Sequence, residues 1–293
     1  MRSGFISIVG RPNVGKSTLI NKIVGEKIAI LSDKQGTTRN LIQGIYTSDD
    51  TQIVFVDTPG IHKPLDKLGG KLNNQAYYST ADADAVMLVM DAKEKVGKGD
   101  MFVIDKMSSL EKPVILVLNK IDKLTNEEIL SKIDEVKDLY DFSEIVPVSA
   151  STGDNVGRLI EVIKKYLKDE VKYYPSEEVT SEPIEKRLAE IVREKVLNLT
   201  NEEVPHSVHT ILTDITEDDK TINVYVDIIV DRDSLKKIII GKKGLMLKEI
   251  GMLARKDMEL LLKKQVYLEL YVKTLKKWRD KEKYLNELGF NEF

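Results

Sequence analysis

The sequence predicts an α/β domain, with a mostly parallel sheet covered by helices on both faces, followed by a smaller α+β domain. Length is the first observation, because 293 residues are too many for one small core. The second is that short apolar runs rich in β-branched residues alternate with amphipathic patterns up to about residue 168. The third is that a helix followed by paired strands replaces this alternation beyond an acidic segment. Strand–helix alternation favours a parallel sheet, and the changed order favours a second core.

Five apolar runs are predicted to be strands of the first sheet. Each has four to six residues, as expected of strands that are buried on both faces. Helices are predicted between them, for example over Ser17–Val24 and Glu127–Leu139. The predicted strands are Phe5–Val9, Ile53–Val56, Ala85–Met90, Val114–Leu118 and Ile145–Val148.

The acidic segment at 169–183 is predicted to be a linker between domains at 1–168 and 184–293, since it carries two prolines and lacks periodicity. Beyond it, the elements are predicted in the order helix, two strands, two helices separated by a glycine turn, one strand and a last helix. The predicted spans are Ile184–Leu199, His206–Ile215, Thr221–Asp231, a short helix before 241–244, a long helix to about Lys264, Val266–Val272 and Lys276–Leu288.

Composition excludes several classes of protein. The chain has no cysteine, so a disulfide framework, a thiolate metal site and a cysteine nucleophile are excluded. Its three histidines are not grouped as zinc ligands would be. No stretch approaches the roughly 20 apolar residues that span a bilayer, and the N-terminus has the pattern of a buried strand rather than a secretion signal. We therefore expect a soluble, cytoplasmic protein.

The segment at 10–17 fits the phosphate-binding loop G-x-x-x-x-G-K-[ST]. It follows a predicted strand and opens a predicted helix, which is the context this loop needs; a chance glycine-rich turn is the alternative. Lys16 would reach the β- and γ-phosphates, and the Ser17 hydroxyl would bind Mg²⁺. The residues predicted to contact the phosphates are Gly10, Arg11, Pro12, Asn13, Val14, Gly15, Lys16, Ser17 and Thr18.

Two further motifs follow predicted strands. DTPG begins at Asp57, whose carboxylate could approach Mg²⁺ through a water, and ends at Gly60, whose N–H could meet the γ-phosphate. NKID begins at Asn119 and ends at Asp122. Because ligands of open α/β sheets bind beyond the carboxyl ends of the strands, all three motifs are predicted to converge.

The NKID motif predicts guanine rather than adenine. The Asp122 carboxylate can accept hydrogen bonds from guanine N1–H and from its exocyclic amine, a pair that adenine cannot offer. Ser149 and Ala150, after the last predicted strand, resemble the element whose backbone contacts guanine O6. The nucleotide is therefore predicted to be GTP or GDP, with Asn119, Lys120, Asp122, Ser149 and Ala150 near the base.

The segment QGTTR at 35–39 is predicted to be a switch. Ras-like GTPases place a threonine here that binds Mg²⁺ only when the γ-phosphate is present. Thr38 is favoured over Thr37 because related bacterial GTPases place this threonine immediately before an arginine; an ordinary polar loop is the alternative. Mg²⁺ is thus predicted to be held by Ser17, Thr38 and Asp57.

Hydrolysis is predicted to be slow, because Ile61 stands where Ras-like enzymes carry a water-positioning glutamine. His62 is better explained as a solvated loop residue than as a base. Asn13 offers a hypothesis for the missing positive charge, since in some GTPases with the same P-N-x-G-K-S wording it helps to hold K⁺. The residues assigned to catalysis are Lys16, Thr38, Asp57, Gly60 and Asn13.

The turn GKKG at 241–244 sits in an α-β-β-α-α-β order, which matches a type II KH module. In such modules the G-x-x-G loop clamps about four single-stranded nucleotides. Residues 232–283 hold 16 Lys or Arg and seven Asp or Glu, an excess that favours a polyanion, although a solvated helix face is the alternative. Trp278 could stack on a base, but for this residue alone packing is favoured. The predicted RNA contacts are Ile240, Gly241, Lys242, Lys243, Gly244, Lys273, Lys276, Lys277, Trp278 and Arg279.

Taken together, these motifs resemble the Era family, bacterial Ras-like GTPases with a C-terminal KH domain. The first half carries GRPNVGKSTL, GTTRN, DTPGIHKP, NKID and SA; the second carries EEVPHS, IIGKKG and KKWRD. Their order and spacing make the resemblance specific, whereas no single motif would. The fold it implies is a P-loop GTPase domain followed by a type II KH domain.

The resemblance also implies partners. It implies binding of the 3′ end of 16S rRNA through the KH domain, a role in assembling the 30S ribosomal subunit, and reciprocal coupling between GTP and RNA. Family members also associate with the membrane peripherally, at its inner face, although the sequence shows no anchor; we expect a monomer.

Two other functions are considered. One is a regulatory RNA-binding module that uses GTP as a ligand with negligible turnover. The other is an RNA-modification factor, which would carry a helical insertion in the GTPase fold and often a terminal cysteine; the chain shows neither. Whether RNA accelerates GTP hydrolysis separates the first of these from a GTPase switch.

Overall fold

The computed structural model describes residues 1–201 and 204–290, and its first domain is built on a six-stranded sheet. The strands lie in the order β2-β3-β1-β4-β5-β6, and β2 alone among them runs antiparallel to its neighbour. The strands are β1 (Arg2–Val9), β2 (Ile42–Thr47), β3 (Thr51–Asp57), β4 (Ala85–Asp91), β5 (Val114–Asn119) and β6 (Glu144–Pro147). The helices are α1 (Lys16–Val24), α2 (Lys67–Ala81), α3 (Lys98–Met107), α4 (Asn126–Val136) and α5 (Val156–Ile163).

Helices cover both faces of this sheet, as predicted. One hydrophobic cluster joins the sheet to α1 and α5, and a second joins it to α2, α3 and α4. Strands β3, β4 and β5 are buried along their whole length, which explains why their sequences are continuous apolar runs. The chain leaves β1 between β3 and β4, so the phosphate loop lies at the carboxyl edge near the centre of the sheet.

The second domain has the predicted α-β-β-α-α-β order, with short additions. Its three-stranded sheet has the order β7-β8-β9, and α6 and α9 pack on one face of it. The elements are α6 (Ile184–Leu199), α7 (Val204–Ser207), β7 (His209–Glu217), β8 (Thr221–Val230), α8 (Asp233–Ile240), α9 (Leu245–Leu262), β9 (Gln265–Thr274) and α10 (Glu282–Glu287). Glu202 and Glu203 of the EEVPHS motif, and residues 291–293, lie outside the described residues.

In the first domain, α4 ends at Val136, three residues before the predicted Leu139. Two predicted elements of the second domain also differ from the structure. The strand predicted to begin at His206 begins at His209, because 204–207 form the short helix α7. The helix predicted over Lys276–Leu288 is interrupted: a 3₁₀ turn spans Trp278–Asp280 and α10 begins only at Glu282. Lys277 adopts a left-handed backbone conformation (φ 54°), which a continuous helix does not allow.

The segment at 169–183 is held against the first domain rather than extended away from it. Asp169 bridges to Ser3 and Thr180 bridges to Gly44. The side chain of Gln52 accepts from the backbone N–H of Tyr173 at 2.8 Å and of the next residue at 3.0 Å. The division into domains at this segment stays a prediction, because the segment packs as part of the first domain's surface. Across the described residues, no helix has the length and apolar character needed to span a membrane.

Candidate nucleotide site and nucleic-acid interface

The loop between β1 and α1 closes around its own lysine. Lys16 is 6% exposed, and its Nζ donates to the carbonyl oxygens of Gly10 and Arg11 at 3.2 and 3.1 Å. Gly10 cannot carry a side chain, since a Cβ there would lie 2.4 Å from the carbonyl oxygen of Val89. Burial lowers the pKa of Lys16 to about 8, although Asp57 opposes the shift. A bound phosphate would favour the charged ammonium, so Lys16 is placed to bind one.

The three side chains predicted to bind Mg²⁺ lie together. Ser17 Oγ donates to Asp57 Oδ2 at 2.8 Å and lies 3.0 Å from Thr38 Oγ1. The other carboxylate oxygen, Asp57 Oδ1, is buried and has no hydrogen-bond partner in the described structure. Burial raises the pKa of Asp57 to about 6. An all-oxygen group with an unsatisfied carboxylate oxygen fits Mg²⁺, which prefers such ligands and retains several waters.

Thr38 and Thr37 point in different directions. Thr38 is buried beside Ser17, whereas the Thr37 hydroxyl donates to the Lys34 carbonyl oxygen at 2.6 Å. The geometry therefore favours Thr38 as the switch threonine. A cavity of about 550 Å³ lies between the phosphate loop, the switch segment and Gly60. Its lining residues include Pro12, Asn13, Gly15, Lys16, Ser17, Thr18, Thr38 and Lys120.

The predicted guanine end is organised by Asn119. Its Nδ2 donates to the carbonyl oxygen of Val14, and its Oδ1 accepts from the N–H of Ala150, both at 2.9 Å. Asp122 is exposed, and a hydrogen bond of 2.6 Å from Ser149 Oγ lowers its pKa. An ionised carboxylate at this edge is available to accept from guanine.

Lys120 connects this end of the site to the phosphate loop. It has a left-handed backbone conformation (φ 70°), and its Nζ donates to the Asn13 carbonyl oxygen at 2.8 Å while pairing with Asp91 at 2.6 Å. Arg11 points to the other side of the loop, where it pairs with Asp100 at 2.8 Å. Lys120 therefore connects the NKID loop to the phosphate loop, and Arg11 connects the phosphate loop to α3.

The groups considered for positioning water are all engaged elsewhere. Ile61 is fully buried, and its N–H donates to the Gly10 carbonyl oxygen at 3.1 Å. His62 Nδ1 lies 3.1 Å from the Gly60 carbonyl oxygen. Asn13 Nδ2 donates to the Asp33 carbonyl oxygen at 2.6 Å, just before the switch segment. A role for Asn13 in holding K⁺ stays a prediction.

Sequence reasoning missed the link between the switch segment and the second domain. Arg39, next to Thr38, is 3% exposed and donates to the carbonyl oxygens of Val208, Pro205 and His206 at 2.6, 3.2 and 3.0 Å. Burial and the nearby Arg193 lower the pKa of Arg39 to about 9. Three backbone carbonyls of the second domain are thus satisfied by one switch residue.

A second arginine holds the switch from the other domain. Arg193, fully buried on α6, donates to the Thr37 carbonyl oxygen and pairs with Glu190 at 2.5 Å. Glu194, its neighbour, accepts from the Leu31 N–H at 3.1 Å. A signal in the sequence existed, since buried arginines within an amphipathic helix require partners, but the partners lie more than 150 residues away.

The GKKG turn is exposed beside a groove. Gly241 and Gly244 have positive φ angles of 72° and 77°, and a Cβ at Gly241 would come within 2.6 Å of the Met246 Cβ. Lys242 and Lys243 are exposed. The adjacent groove, of about 460 Å³, lies between α9 and β9 and is lined by Gly244, Leu247, Lys248, Gly251, Met252, Arg255, Leu268, Glu269 and Leu270. A positive loop beside an apolar groove suits a sugar–phosphate backbone with unstacked bases.

The remaining predicted RNA contacts lie at the other end of α8, not with the GKKG turn. Lys276 and Lys277 are exposed, and Lys273 pairs with Asp227 at 2.5 Å. Trp278 is fully buried, and its Nε1 donates to the Ser207 carbonyl oxygen at 2.9 Å. The indole is therefore a packing residue here and not a surface on which a base stacks.

Arg279 also faces the protein rather than solvent. It pairs with Asp66, at the start of α2, at 2.8 Å and with Asp231 at 3.1 Å. Beside it, an apolar cluster joins α2 to the second domain through Leu68, Leu72, Ile229, Trp278, Leu285, Leu288 and Phe290. These positions do not fit the predicted RNA contacts at Trp278 and Arg279, because both side chains are used in the contact between domains.

Two protein-family models match the chain. One, described as 50S ribosome-binding GTPase, matches residues 5–120, and the other, described as KH domain, matches residues 203–279. The chain is therefore a P-loop GTPase carrying a C-terminal KH domain, as the sequence predicted.

Two solved structures are similar to nearly the whole chain. One is a variant of Aquifex aeolicus Era bound to GDP·AlF₄⁻, which is 42% identical, with 99% of each chain covered and a TM-score of 0.95. The other is Era in complex with MgGDPNP and nucleotides 1506–1542 of 16S ribosomal RNA, with 42% identity, 99% of each chain covered and a TM-score of 0.96. The chain belongs to the Era family.

Proposed function

We propose that this protein is a GTP-hydrolysing switch that binds the 3′ end of 16S rRNA through its KH domain and assists assembly of the 30S subunit. The observation that carries the proposal is the double attachment of the switch segment. Thr38 lies beside Ser17 and Asp57 in the nucleotide site, and the adjacent Arg39 is buried against the KH domain. One segment thus contacts both binding sites, which is the arrangement that coupling requires.

The nucleotide we propose is GTP with Mg²⁺. Lys16 would bind the β- and γ-phosphates, Asp122 would bind the guanine, and Ser17, Thr38 and Asp57 would hold the metal. Mg²⁺ supplies positive charge that offsets the phosphate oxygens when it is bound. The Era structure that holds MgGDPNP supports this assignment.

The RNA we propose is single-stranded and derives from 16S rRNA. Support comes from the exposed GKKG turn, the groove beside it and the Era complex with nucleotides 1506–1542. The family model that names the 50S subunit covers residues 5–120 only, where the KH domain is absent. The RNA bound in the Era complex, rather than the description of the GTPase model, therefore favours the small subunit as the partner.

The test measures GTP hydrolysis with and without a short RNA copied from the 16S 3′ end. The variant is Gly241→Asp with Gly244→Asp, which places acidic groups where phosphates would pass. We expect the RNA to bind and to accelerate turnover in the wild type, and both effects to be lost in the variant. Binding without acceleration would favour the regulatory module with negligible turnover. An absence of RNA binding would overturn the KH assignment and leave the GTP site standing.

We further propose that K⁺ supports hydrolysis through Asn13. Rates measured in K⁺ and in Na⁺, for the wild type and for Asn13→Ala, test this, and equal rates in the two salts would overturn it.

We also propose a cytoplasmic monomer that associates peripherally with the inner face of the membrane. Sedimentation of the pure protein tests whether it is a monomer. Sedimentation with lipid vesicles tests whether it associates with the membrane.

A further inference from the structure

One face of the KH-domain sheet is covered by α2 and α10 only at its Ile229 end, and three tyrosines lie on the uncovered part. The residues of β8 and β9 that point to α6 and α9 are apolar, whereas Tyr225, Tyr267 and Tyr271 point away from them. Tyr267 and Tyr271 are 51% and 56% exposed. The rings of Tyr225 and Tyr267 meet edge to face, with centroids 6.4 Å apart. Neighbouring exposed aromatics of this kind are typical of interaction surfaces.

Two carboxylates lie among these rings. Strand register places Asp214, Tyr225 and Glu269 in one row across the sheet. In β9, Glu269 falls between the two exposed tyrosines, and the Tyr267 hydroxyl donates to it at 3.3 Å. No lysine or arginine of the described chain lies within ion-pair distance of Asp214 or Glu269. We name Tyr225, Tyr267, Tyr271, Asp214 and Glu269 the tyrosine face.

The charge around the tyrosine face is negative. Lys273 pairs with Asp227 and Lys264 with Glu217, so these lysines are neutralised. The hairpin turn at 218–220 adds two exposed aspartates and a single lysine. The other side of the domain is positive, because the GKKG turn and the groove residues Lys248 and Arg255 lie there. A polyanion therefore suits the helical side, and a cation suits the tyrosine face.

We propose that the tyrosine face binds an arginine- or lysine-rich segment of a protein partner. A guanidinium can stack on a tyrosine ring while its N–H groups donate to a neighbouring carboxylate. Glu269 lies beside all three rings, so one side chain can make both contacts at once. Alternate residues of an extended segment stand roughly 7 Å apart on one side, which matches the spacing of alternate residues along β9. The partner is thus an extended segment with cations at alternate positions.

The probe is a fluorescein-labelled peptide of about 12 residues in which arginine alternates with glycine. Its binding to the full chain is measured by fluorescence anisotropy at about 0.1 M salt, with a glutamate–glycine peptide as the charge control. The test variants are Tyr267→Ala with Tyr271→Ala and, separately, Glu269→Gln, which keeps the shape of the face. Tyr78→Ala is the matched control, because Tyr78 is also 56% exposed but lies on α2.

We expect the arginine peptide to bind the wild type and the Tyr78 variant equally. The double tyrosine variant should bind it about tenfold more weakly, and the glutamine variant should weaken it in the same direction. The thermal midpoint should stay unchanged in all three variants. RNA binding should stay unchanged in the double tyrosine variant and in Tyr78→Ala, which keep Glu269 at the edge of the RNA groove. Absence of peptide binding, or binding that none of the variants weakens, would overturn the proposal. Loss of RNA binding in a well-folded tyrosine variant would instead assign the face to RNA and overturn it as well.

Discussion

Asp122 is predicted to select the base. Replacing one of its carboxylate oxygens with an amide nitrogen would turn a hydrogen-bond acceptor into a donor. The carboxylate accepts from two guanine donors, whereas the amide of Asp122→Asn would bring a donor toward the exocyclic amine. Xanthine carries a carbonyl at that position and would accept from it. We expect GTP affinity to fall about 100-fold or more and affinity for xanthosine triphosphate to rise.

Nucleotide titrations followed by fluorescence measure both affinities. Asp141→Asn is the matched control, because Asp141 is an exposed carboxylate in the loop before β6, at the opposite edge of the sheet from the nucleotide. Unchanged GTP affinity in Asp122→Asn would remove this residue from the base contact.

A second prediction about a single residue concerns His209 and the dependence of folding stability on pH. The ring is buried beside Trp278 and Phe290, with centroids 5.8 and 5.0 Å away. Burial, with the charges of Arg39 and Arg193, lowers the pKa of His209 well below 6.5. As pH falls below about 6.5, His209 takes up a proton in the unfolded chain but stays neutral in the folded chain. The free energy of unfolding therefore decreases as pH falls.

The expected loss from this one group is about 1.4 kcal/mol at pH 5.5 relative to neutral pH. Trp278 is the one tryptophan of the sequence, so its fluorescence reports unfolding of the region around His209. In His209→Phe, which cannot take up a proton, the midpoint should fall less between pH 7.5 and 5.5. Parallel pH profiles in the two proteins would contradict this assignment.

Among the elements, the switch segment carries the sharpest prediction, because Arg39 connects it to α7 and β7. Arg39→Ala leaves the buried carbonyl oxygens of Pro205 and Val208 and the partly buried one of His206 without their donor. Each loss costs about 1–3 kcal/mol where water cannot replace the donor. We expect GTP binding to persist, since Arg39 points away from the nucleotide, and the acceleration of hydrolysis by RNA to be lost. Gln35→Ala is the control, because Gln35 is exposed on the same segment. Equal loss in both variants would show a general softening of the segment rather than a role for Arg39.

The same elements show how far sequence reasoning reaches. Helix α6 is predicted with its observed bounds, because its apolar positions recur at helical spacing between a proline and a threonine. Helix α2 lies between two predicted strands, where a helix is expected, but its bounds are not predicted, since KLGGKLNNQAYYSTA contains two glycines and two asparagines. It forms because Asp66 caps its first turn and because Leu68 and Leu72 pack against the KH domain. Contacts from distant parts of the chain decide such an element, and a local pattern does not contain them.

The nucleotide site was easier to predict than the contact between domains. Its motifs follow β1, β3 and β5, and parallel strands bring their carboxyl ends to one edge whatever the remaining sequence is. No comparable rule pairs Arg39 with α7 or Arg279 with Asp66. Trp278 shows the consequence, since an aromatic among lysines is consistent with RNA binding until its burial is seen.

For the whole molecule, the KH domain contacts both the switch segment and the start of α2. Arg39 and Arg193 attach it to the switch segment, and Arg279 attaches it to Asp66 at the start of α2. If GTP and GDP place these segments differently, they must also place the KH domain differently, because the attachments are buried or ion-paired. We expect small-angle X-ray scattering to give different radii of gyration for the protein with GDP and with a non-hydrolysable GTP analogue.

The double variant Arg39→Ala with Arg279→Ala removes one attachment from each segment. Its radius of gyration should depend less on the nucleotide, because Arg193 is then the one arginine of the three that still attaches the KH domain to the switch segment. The double variant Gln35→Ala with Lys67→Ala serves as control, since both side chains are exposed and lie on the same two segments. An undiminished dependence on the nucleotide in the arginine variant would show that Arg39 and Arg279 do not transmit the change.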